Sequence, residues 1–314
     1  MVVSSLPILS ELFYFSAPEF PLNSLLEMSN FVVPSTIRQD KKHNVQQTLY
    51  RALHGHRQEK TFLFKDVIRF DVVTDHILPS MCQHDPNENA NCLVCKFERE
   101  LSLPNTPDMI FGSNVLRLSC QGDLLLEFNA LDALKRVDSK NLPEVKVGTS
   151  EAWQKARGNL PPIPNAYDWT FTSDYDGTIP ENILVEETDE TIDLEMLKRP
   201  DPIEFIETIP LYEDEMDDNG STEMTVRVRV MPTNFFIVCR QYVRVDRVLL
   251  RTIDTRFYSQ IGWNYIIREQ TKREALQKDW TPQQKEHALD PSQLWQYLPV
   301  VHRKAHRIYY VKSS

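Results

Sequence analysis

The chain has 314 residues, of which 41% are hydrophobic and 25% are charged, so it can build the core of one large domain or two small ones. Its formal net charge of −10 does not supply the basic footprint that a nucleic-acid-binding protein needs. Five cysteines without a regular framework fit a reducing compartment. We therefore expect a soluble cytoplasmic protein, with the nucleus as a second compartment, that binds no nucleic acid.

The first segment, residues 1–59, is expected to be an extension outside the main domain. Its apolar patches are interrupted by prolines and keep no sustained period, so it is interpreted as largely disordered. Apolar residues at helical spacing from Val45 to Leu53, followed by Gly55, predict one helix within it. The first basic residue is Arg38, so we expect no signal peptide. No stretch approaches the roughly 20 apolar residues of a membrane span, and we expect no contact with a membrane.

The main domain is predicted to begin with paired strands. Alternating apolar residues at 62–64 and 67–72 predict a hairpin with its turn at Lys65 and Asp66. A second hairpin is predicted across the turn at 121–123. Asn129 then suits the N-cap of a short helix, because Asp132 follows three residues later and a carboxylate there favours the exposed amides and the helix dipole.

Beyond this helix, the pattern predicts two more helices and a series of strands. Helix caps and breakers predict helices at 150–157 and 189–198. Period-two alternation and turn residues predict strands at 167–172, 203–211, 224–230, 235–245 and 248–256. Tight turns between successive strands imply antiparallel pairing. The expected fold class is α+β, with mostly antiparallel sheets and several short helices packed around them.

This pattern divides the chain into three parts. A single main domain is expected at 60–275, after the extension at 1–59. Residues 276–314 contain tryptophan, tyrosine and a basic end, and they are interpreted as a C-terminal docking segment and tail.

The glycine pattern excludes the common nucleotide cradles. The eight glycines are too scattered to write either G-x-G-x-x-G or G-x-x-x-x-G-K-[ST], and the G-x-S-x-G nucleophile elbow is also missing. The histidine pair at helical spacing, His302 and His306, encloses no glutamate that could act as a zincin base. We expect no catalytic activity. The alternative is a metal-dependent hydrolase built on acidic residues and scattered histidines, but it has no spaced set of ligands.

Four potential zinc ligands stand within 14 residues: Cys82, His84, Cys92 and Cys95. Residues of these types can close a tetrahedral zinc site. The alternative is a solvated loop that carries thiols. The first pair, C-x-H, is unusually tight, which favours the loop, so no metal and no other cofactor is expected.

An acidic run at 213–218 precedes Asn219 and Gly220. Placing Gly220 at the sixth position of an EF-hand loop puts Val226 where a bidentate glutamate must stand, so the sequence does not predict calcium binding. A solvated acidic turn before a strand is expected. The functional alternative is an acidic lip that attracts a basic segment of a partner.

Arginines are frequent on the predicted neighbouring strands, and several share a face through period-two spacing. They are Arg227, Arg229, Arg240, Arg244, Arg251 and Arg256. Ion pairs with nearby carboxylates are expected for most of them. For Arg256, at the end of its predicted strand, a partner contact is expected because loops at strand ends present binding residues.

Five short blocks, in a fixed order, resemble one known family. They read FGSNVLR from Phe111, EFNA and DAL from Glu127, YDWT with DY and G from Tyr167, RVMP with FF from Arg229, and DTR from Asp254. Together they are similar to the TIP-forty-one-like family (TIPRL) of TOR-signalling regulators, whose members bind the catalytic subunit of type 2A protein phosphatases. The resemblance covers roughly residues 60–270.

The resemblance implies a non-catalytic regulator. It would bind the catalytic subunit of type 2A serine/threonine phosphatases, near the active face or the C-terminal tail of that subunit, and inhibit it in TOR signalling. A phosphatase-associated adaptor is a further partner that the resemblance implies, and the chain itself is expected to be a monomer. A peptide-binding module for other phosphoproteins differs only in its partner and remains an alternative.

The resemblance also implies which residues line the contact surface: Asp132, Ile192, Thr252, Asp254 and Arg256. Asp132 is expected at a helix start, Ile192 on the helix at 189–198, and Asp254 at a strand end. At these places, we expect the two carboxylates to face a partner without supporting the core.

One turn departs from the family pattern. The family usually places glycine after the aspartate that stands here as Asp246, but this chain has Arg247. A type I′ turn needs positive φ, which glycine adopts without strain. Either Arg247 adopts a positive φ or the turn changes.

Overall fold

The computed structural model describes residues 57–79, 82, 92–103, 105–137, 170–216 and 219–310. The predictions for residues 1–56, for the helix at 150–157 and for the first half of the strand at 167–172 lie outside these residues. The described half of that strand, residues 170–172, does not form a strand. Within them, no helix has the length and apolar character of a membrane span.

Strands dominate the described residues. They are, in chain order, β1 (Gln58–Phe64), β2 (Ile68–Thr74), β3 (Met109–Ile110), β4 (Val115–Cys120), β5 (Asp123–Asn129), β6 (Val185–Glu187), β7 (Phe205–Asp214), β8 (Gly220–Val230), β9 (Asn234–Val245), β10 (Leu249–Gln260), β11 (Tyr265–Leu276) and β12 (Val300–Tyr309). The helices are α1 (Leu93–Glu100), α2 (Ala130–Lys135), α3 (Pro282–Glu286) and α4 (Pro291–Leu294), with 3-10 turns at Met196–Lys198 and Gln277–Asp279. The segment Leu194–Arg199 falls outside the compact unit that holds the sheets.

The strands form two antiparallel sheets. The small sheet has four strands in the order β1-β2-β4-β5, and the large sheet has eight in the order β3-β7-β8-β9-β10-β11-β12-β6. From β7 to β12 each strand of the large sheet pairs with its neighbour in sequence, so most connections are hairpins. The predicted α+β class is confirmed.

The apolar core lies between the two sheets. Phe235 of β9 meets Phe64 and Phe70 of the small sheet edge-on, with ring centroids 5.6 and 5.2 Å apart. Phe257 of β10 meets Phe128 in the same way at 5.3 Å. All five rings are buried. Aromatic pairs of this kind add roughly 0.5–1.5 kcal/mol each beyond the area they bury, so they help to fix how the sheets face each other.

The predicted hairpins are confirmed. The turn after β1 holds Lys65 at φ 51° and Asp66 at φ 57°, as a type I′ turn requires. Arg247 has φ 64°, so the arginine itself adopts the conformation that the family leaves to glycine, and β9 still pairs with β10.

The capped helix after β5 is also confirmed. The Asn129 side-chain oxygen accepts a hydrogen bond from the backbone N–H of Asp132 at 2.8 Å, which satisfies one of the exposed donors at the start of α2. Asp132 lies in the first turn of this helix.

The predicted helix at 189–198 is wrong. Residues 188–193 run without helical structure, and only Met196–Lys198 form a 3-10 turn. The backbone N–H groups at the start of the segment are used elsewhere: Thr188 donates to the Ala305 carbonyl at 3.1 Å, and Ile192 donates to a Glu269 carboxylate oxygen at 3.2 Å. Tertiary hydrogen bonds thus replace the helical ones that spacing alone predicts.

The segment at 276–314, interpreted from sequence as a docking segment and tail, contributes a strand to the large sheet. β12 pairs with β11 from Tyr265↔Tyr309 to Arg273↔Val300. The preceding helices α3 and α4 pack Leu294 and Leu298 against Tyr242 and Leu250 of the sheet. Five of the ten residues of β12 are histidine, lysine or arginine, which hides the strand in a hydrophobicity pattern.

Gly177 lies between Asp176 and Thr178 in a segment that crosses β5. Thr178 and Glu127 exchange backbone hydrogen bonds at 2.8 and 2.9 Å. Gly177 has φ +88°, and a Cβ there would lie 2.5 Å from the Leu126 side chain. Both the backbone conformation and the close approach therefore favour glycine.

We predict that Gly177→Ala destabilises the protein more than Gly122→Ala does. Gly122 also has positive φ (+93°) but nothing lies within 4 Å of its Cβ position, so its substitution isolates the backbone strain, about 1–2 kcal/mol. Gly177→Ala should add roughly 1–3 kcal/mol for overpacking. Chemical denaturation of the two variants measures this difference. Equal losses would show that the Leu126 side chain moves aside freely.

Candidate functional site

Thr252, Asp254 and Arg256 lie on one face of β10, which we call the polar face of the large sheet. They alternate along the strand and sit beside Tyr242, Arg240 and Val238 of β9. Asp254 is central in β10 and only 3% exposed, and Thr252 is fully buried. The expectation that Asp254 stands at a strand end, free of any structural role, is therefore wrong. The strand is longer than its apolar pattern suggests.

Asp254 forms a bidentate ion pair with Arg240. The Nε and one terminal nitrogen of Arg240 donate to the two carboxylate oxygens, each at 2.7 Å. Arg256 donates to the same carboxylate at 3.3 Å. Burial favours a higher pKa for Asp254, but Arg240 and then Arg256 outweigh it and hold the pKa below its ordinary value. The carboxylate is therefore ionised and stabilises two buried cations.

The C-terminal helices cover this ion pair. Arg240 also donates to the Pro291 carbonyl at 2.8 Å, at the start of α4. The ring of Trp295, at the end of α4, lies 5.0 Å from the guanidinium of Arg256 and 5.5 Å from that of Arg273. Arginine stacked on an aromatic ring is attracted by the ring quadrupole. The sequence does not indicate this cover, because Trp295 is about 40 residues away in the chain from Arg256.

The six arginines singled out in the sequence divide between the two faces. Arg240 and Arg256 share the polar face with Arg227, Arg229 and Arg244, by register and alternation. Arg251 lies on the other face and pairs with Glu274. The ion pairs expected for most of them are confirmed for Arg240, Arg244 and Arg251. Arg256, for which a partner contact at a strand end was expected, lies inside β10 and pairs with Asp254.

Ile192 reaches the same polar face from the segment after β6. It is buried, and the Glu269 carboxylate that accepts its N–H also pairs with Arg303 at 3.0 Å. Glu269 is the register partner of Arg256. Four of the five implied contact residues thus gather around β10 and β11.

Asp132 lies in a separate group. Its carboxylate accepts hydrogen bonds from the Thr178 hydroxyl at 2.6 Å and the Asn129 amide at 2.9 Å. Asp132 is half-buried, the most accessible of the five. These two partners belong to β5 and to the segment 170–178, so the structure does not bring Asp132 onto the polar face.

One turn along α2 from Asp132, three cations surround a buried carboxylate. The Asp176 carboxylate forms ion pairs with Arg136 at 3.1 Å, with Lys304 at 3.1 Å and with Arg268 at 3.3 Å. Its side chain is only 5% exposed. These residues come from α2, β11 and β12. Sequence reasoning missed this group, because its members share no motif and only sheet register brings them together.

An open polar groove lies at the edge of the large sheet, between residues 187–191 and 303–306. Its volume is about 560 Å³. Lys304 connects it to the Asp176 group, and Arg303 connects it to Glu269 beneath Ile192. Burial, with the cations Arg268 and Lys304, lowers the pKa of His306 in the groove wall, so this histidine is neutral near pH 7.

The free edge of β12 forms one wall of the groove. Within the described residues, β6 pairs only with His306–Ile308 of β12. Since the Ala305 carbonyl accepts from Thr188 on that side, alternation points the backbone N–H and C=O of Arg303 outward as well. Val300 and Val301 at the start of the strand are 49% and 54% exposed.

Two carboxylates oppose each other at the other end of the sheet. Glu213 of β7 pairs in register with Glu223 of β8. Burial, followed by the charges of Glu223 and Glu215, raises the pKa of Glu213 to about 7. The pKa of Glu223 is raised as well, by burial. Part of the acidic run is therefore half-buried strand, not a fully solvated turn.

The three cysteines considered in the sequence as potential zinc ligands lie close together. The sulfurs of Cys82, Cys92 and Cys95 lie within 4.8 Å of one another, and among the described residues no other group of histidine, cysteine or acidic side chains has a geometry that could hold a metal. His84 lies outside the described residues. The described part of the acidic run, Glu213–Met216, and the described histidines thus form no such ligand set.

Comparison with known proteins identifies the family. A profile of the TIP41-like family matches residues 109–280. The TIP41-like protein of Caenorhabditis elegans is 39% identical over 272 residues, which cover 85% of this chain and 96% of the relative. The chain belongs to the TIP41-like family.

Two further relatives of this TIP41-like chain are informative. The TIP41-like protein of Homo sapiens is 38% identical over 213 residues, which cover 66% of this chain and 78% of the relative. The protein named type 2A phosphatase activator TIP41 in Saccharomyces cerevisiae is 35% identical over 193 residues, which cover 55% of this chain and 54% of the relative.

In this TIP41-like chain, Asp254→Asn should cost roughly 3–5 kcal/mol of stability, because it leaves Arg240 buried without a counter-charge. The matched control is Asp71→Asn, which breaks the Arg69–Asp71 pair, whose side chains are 56% and 32% exposed. That change should cost less than about 1 kcal/mol. Urea unfolding at pH 7 compares them. Similar losses would contradict the structural role of the buried pair.

We also predict that Glu213→Gln stabilises this TIP41-like chain at pH 8 more than at pH 5. A folded-state pKa of about 7, above the ordinary 4.5, means that the protonated form is favoured by folding. The stability it contributes is present at low pH and lost as the pH rises through 7. The gain at pH 8 should be roughly 1–3 kcal/mol. Exposed Glu181→Gln is the control, and a pH-independent effect of Glu213→Gln would contradict the raised pKa.

Proposed function

We propose that this TIP41-like chain is a non-catalytic regulator that binds the catalytic subunit of type 2A serine/threonine protein phosphatases in cytoplasmic TOR signalling. Family membership carries the proposal. The relatives from Saccharomyces cerevisiae and Schizosaccharomyces pombe are both named type 2A phosphatase activators. The absence of any nucleophile–base pair or phosphate-binding loop in the sequence motifs supports a binding role over a catalytic one.

We assign the phosphatase contact to the groove beside β12. Its wall offers outward backbone groups at Arg303 and the exposed side chains of Val300 and Val301. A sheet edge of this kind can take an extended segment as an added strand, with backbone hydrogen bonds supplying affinity. The C-terminal tail of the catalytic subunit, implied as a contact by the family resemblance, is the segment assigned to it.

The implied contact residues acquire different roles in this proposal. Ile192, through Glu269 and Arg303, supports the groove wall on the polar face. Thr252, Asp254 and Arg256 lie deeper and keep the strands and α4 in place. Asp132 lies on α2, apart from the polar face, and because it is the most accessible of the five we assign it to direct contact with the partner.

Two sources disagree about whether the protein inhibits or activates the phosphatase. The family resemblance implies inhibition of the bound catalytic subunit, whereas the yeast relatives are named activators. We propose that direct binding lowers the activity of the isolated subunit. Activation would then act at a later step in the pathway, such as release of the subunit to another holder.

The first test is binding of the purified chain to a purified type 2A catalytic subunit, with phosphatase activity measured on a small phosphoester. Arg303→Pro removes the outward N–H of β12 without touching the bonds to β11. It should weaken binding about tenfold, the worth of roughly one hydrogen bond. Arg303→Ala is the matched control, because it loses the side chain but keeps the N–H, and its affinity should stay within about threefold.

Asp132→Asn in the same assay tests the direct contact. The amide keeps the size of the carboxylate and an acceptor for Thr178, but it loses the charge, so affinity should fall while the melting temperature changes little. Absence of any binding by the wild-type chain would overturn the proposed function. Equal losses for Arg303→Pro and Arg303→Ala would overturn only the strand-addition surface. Binding of unrelated phosphopeptides without the phosphatase would favour the peptide-module alternative.

A further inference from the structure

The three cysteine sulfurs before α1 are arranged like the ligands of a metal ion. Cys82 lies 3.5 Å from Cys92 and 3.5 Å from Cys95, sulfur to sulfur. Tetrahedral zinc with Zn–S bonds of about 2.3 Å holds its sulfurs about 3.7 Å apart. All three cysteines are half-buried and none forms a disulfide. The separations therefore match a shared metal better than a covalent bond between any two of them.

The backbone presents these sulfurs from two separate elements. Cys92 is the N-cap of α1 and Cys95 lies in its first turn, where the Lys96 N–H donates to the Cys92 carbonyl at 3.0 Å. This C-x2-C arrangement places both sulfurs on the same side of the helix start. Cys82 approaches from the preceding segment and completes the triangle.

The two segments that carry the sulfurs, which we call the two arms, are both attached to the main core. Packing of the core therefore holds the three sulfurs in place. Phe97 and Leu101 of α1 are buried in the core between the sheets. On the other arm, the Leu78 N–H donates to the Ile110 carbonyl at 2.7 Å. A metal at the three sulfurs would join these arms, which are ten positions apart in the chain at Cys82 and Cys92.

We propose that Cys82, Cys92 and Cys95 bind one Zn²⁺ ion, which links Cys82 to the start of α1. Three thiolates select a soft or borderline metal, for which zinc is the common structural choice. The site precedes residues 109–280, which the family profile matches, so the proposal concerns this chain and is independent of phosphatase binding.

The structure thus changes the expectation drawn from sequence. The tight C-x-H pair favoured a solvated loop, but spacing along the chain does not say where Cys82 lies relative to α1. The sulfur–sulfur distances show that Cys82 lies beside Cys92 and Cys95 at the start of α1. Each ligand thiol must lose its proton when zinc binds, so the affinity for zinc should fall as the pH is lowered.

The test uses the full chain without an affinity tag, purified under reducing conditions from zinc-supplemented cells. Elemental analysis should find about one zinc per chain, and replacement by Co²⁺ should give the visible bands of tetrahedral cobalt with thiolate-to-cobalt charge transfer. Cys92→Ser with Cys95→Ser should lose nearly all of the zinc. Cys120→Ala is the matched control, because Cys120 is a buried thiol of β4 away from the three sulfurs, and it should keep the wild-type stoichiometry.

The proposal would be overturned if the wild-type protein contained no zinc while Cys82, Cys92 and Cys95 were reduced, and titration with Co²⁺ gave no cobalt–thiolate absorption. So would zinc content that the Cys92→Ser and Cys95→Ser double variant retains. If the double variant does not fold, the wild-type chain still decides: removal of zinc by a chelator should lower its melting temperature, and Zn²⁺ added back should restore it. An unchanged melting temperature would contradict a structural role.

Discussion

The register of β10 between β9 and β11 is the constraint on which the rest of the structure depends. It places Asp254 beside Arg240, and Arg256, two residues further along β10, reaches the same carboxylate. A slip of one residue would turn every side chain of β10 to the other face. Phe257 would then leave the aromatic core, and Asp254 would enter it without a counter-charge. Apolar packing and electrostatics therefore enforce the same register.

The two faces of the large sheet solve different physical problems. The inner face buries aromatic and aliphatic side chains against the small sheet, and its buried Arg251 is paired with Glu274. The polar face buries arginines, which is tolerable only where carboxylates and aromatic rings compensate for lost hydration. Trp295 and α4 supply part of that compensation from the end of the chain. The C-terminal segment is therefore part of the folded unit.

The edge of the large sheet is where this stable arrangement becomes available to a partner. Lys304 and Arg303 are adjacent in β12, yet alternation sends one to Asp176 and the other to Glu269. The groove wall is thus braced from both faces, while the outward backbone of the strand stays accessible within the described residues. Rigid bracing of an open edge lowers the ordering cost of adding a strand. This physical feature links the fold to the proposed phosphatase contact.

Local structure and family membership could both be predicted from the amino-acid sequence alone. Alternation and turn residues predicted the hairpins around Lys65 and Arg247, and the Asn129 cap, because these features depend on neighbours within a few residues. Three features required the tertiary structure: the absence of the predicted helix at 189–198, the formation of β12 in a basic segment, and the burial of Asp254. Each depends on partners far along the chain: the Ala305 carbonyl, the whole of β11 and the Arg240 guanidinium. The same holds for the cysteine triangle, whose ligand types the sequence displays but whose distances only the packing of α1 brings about.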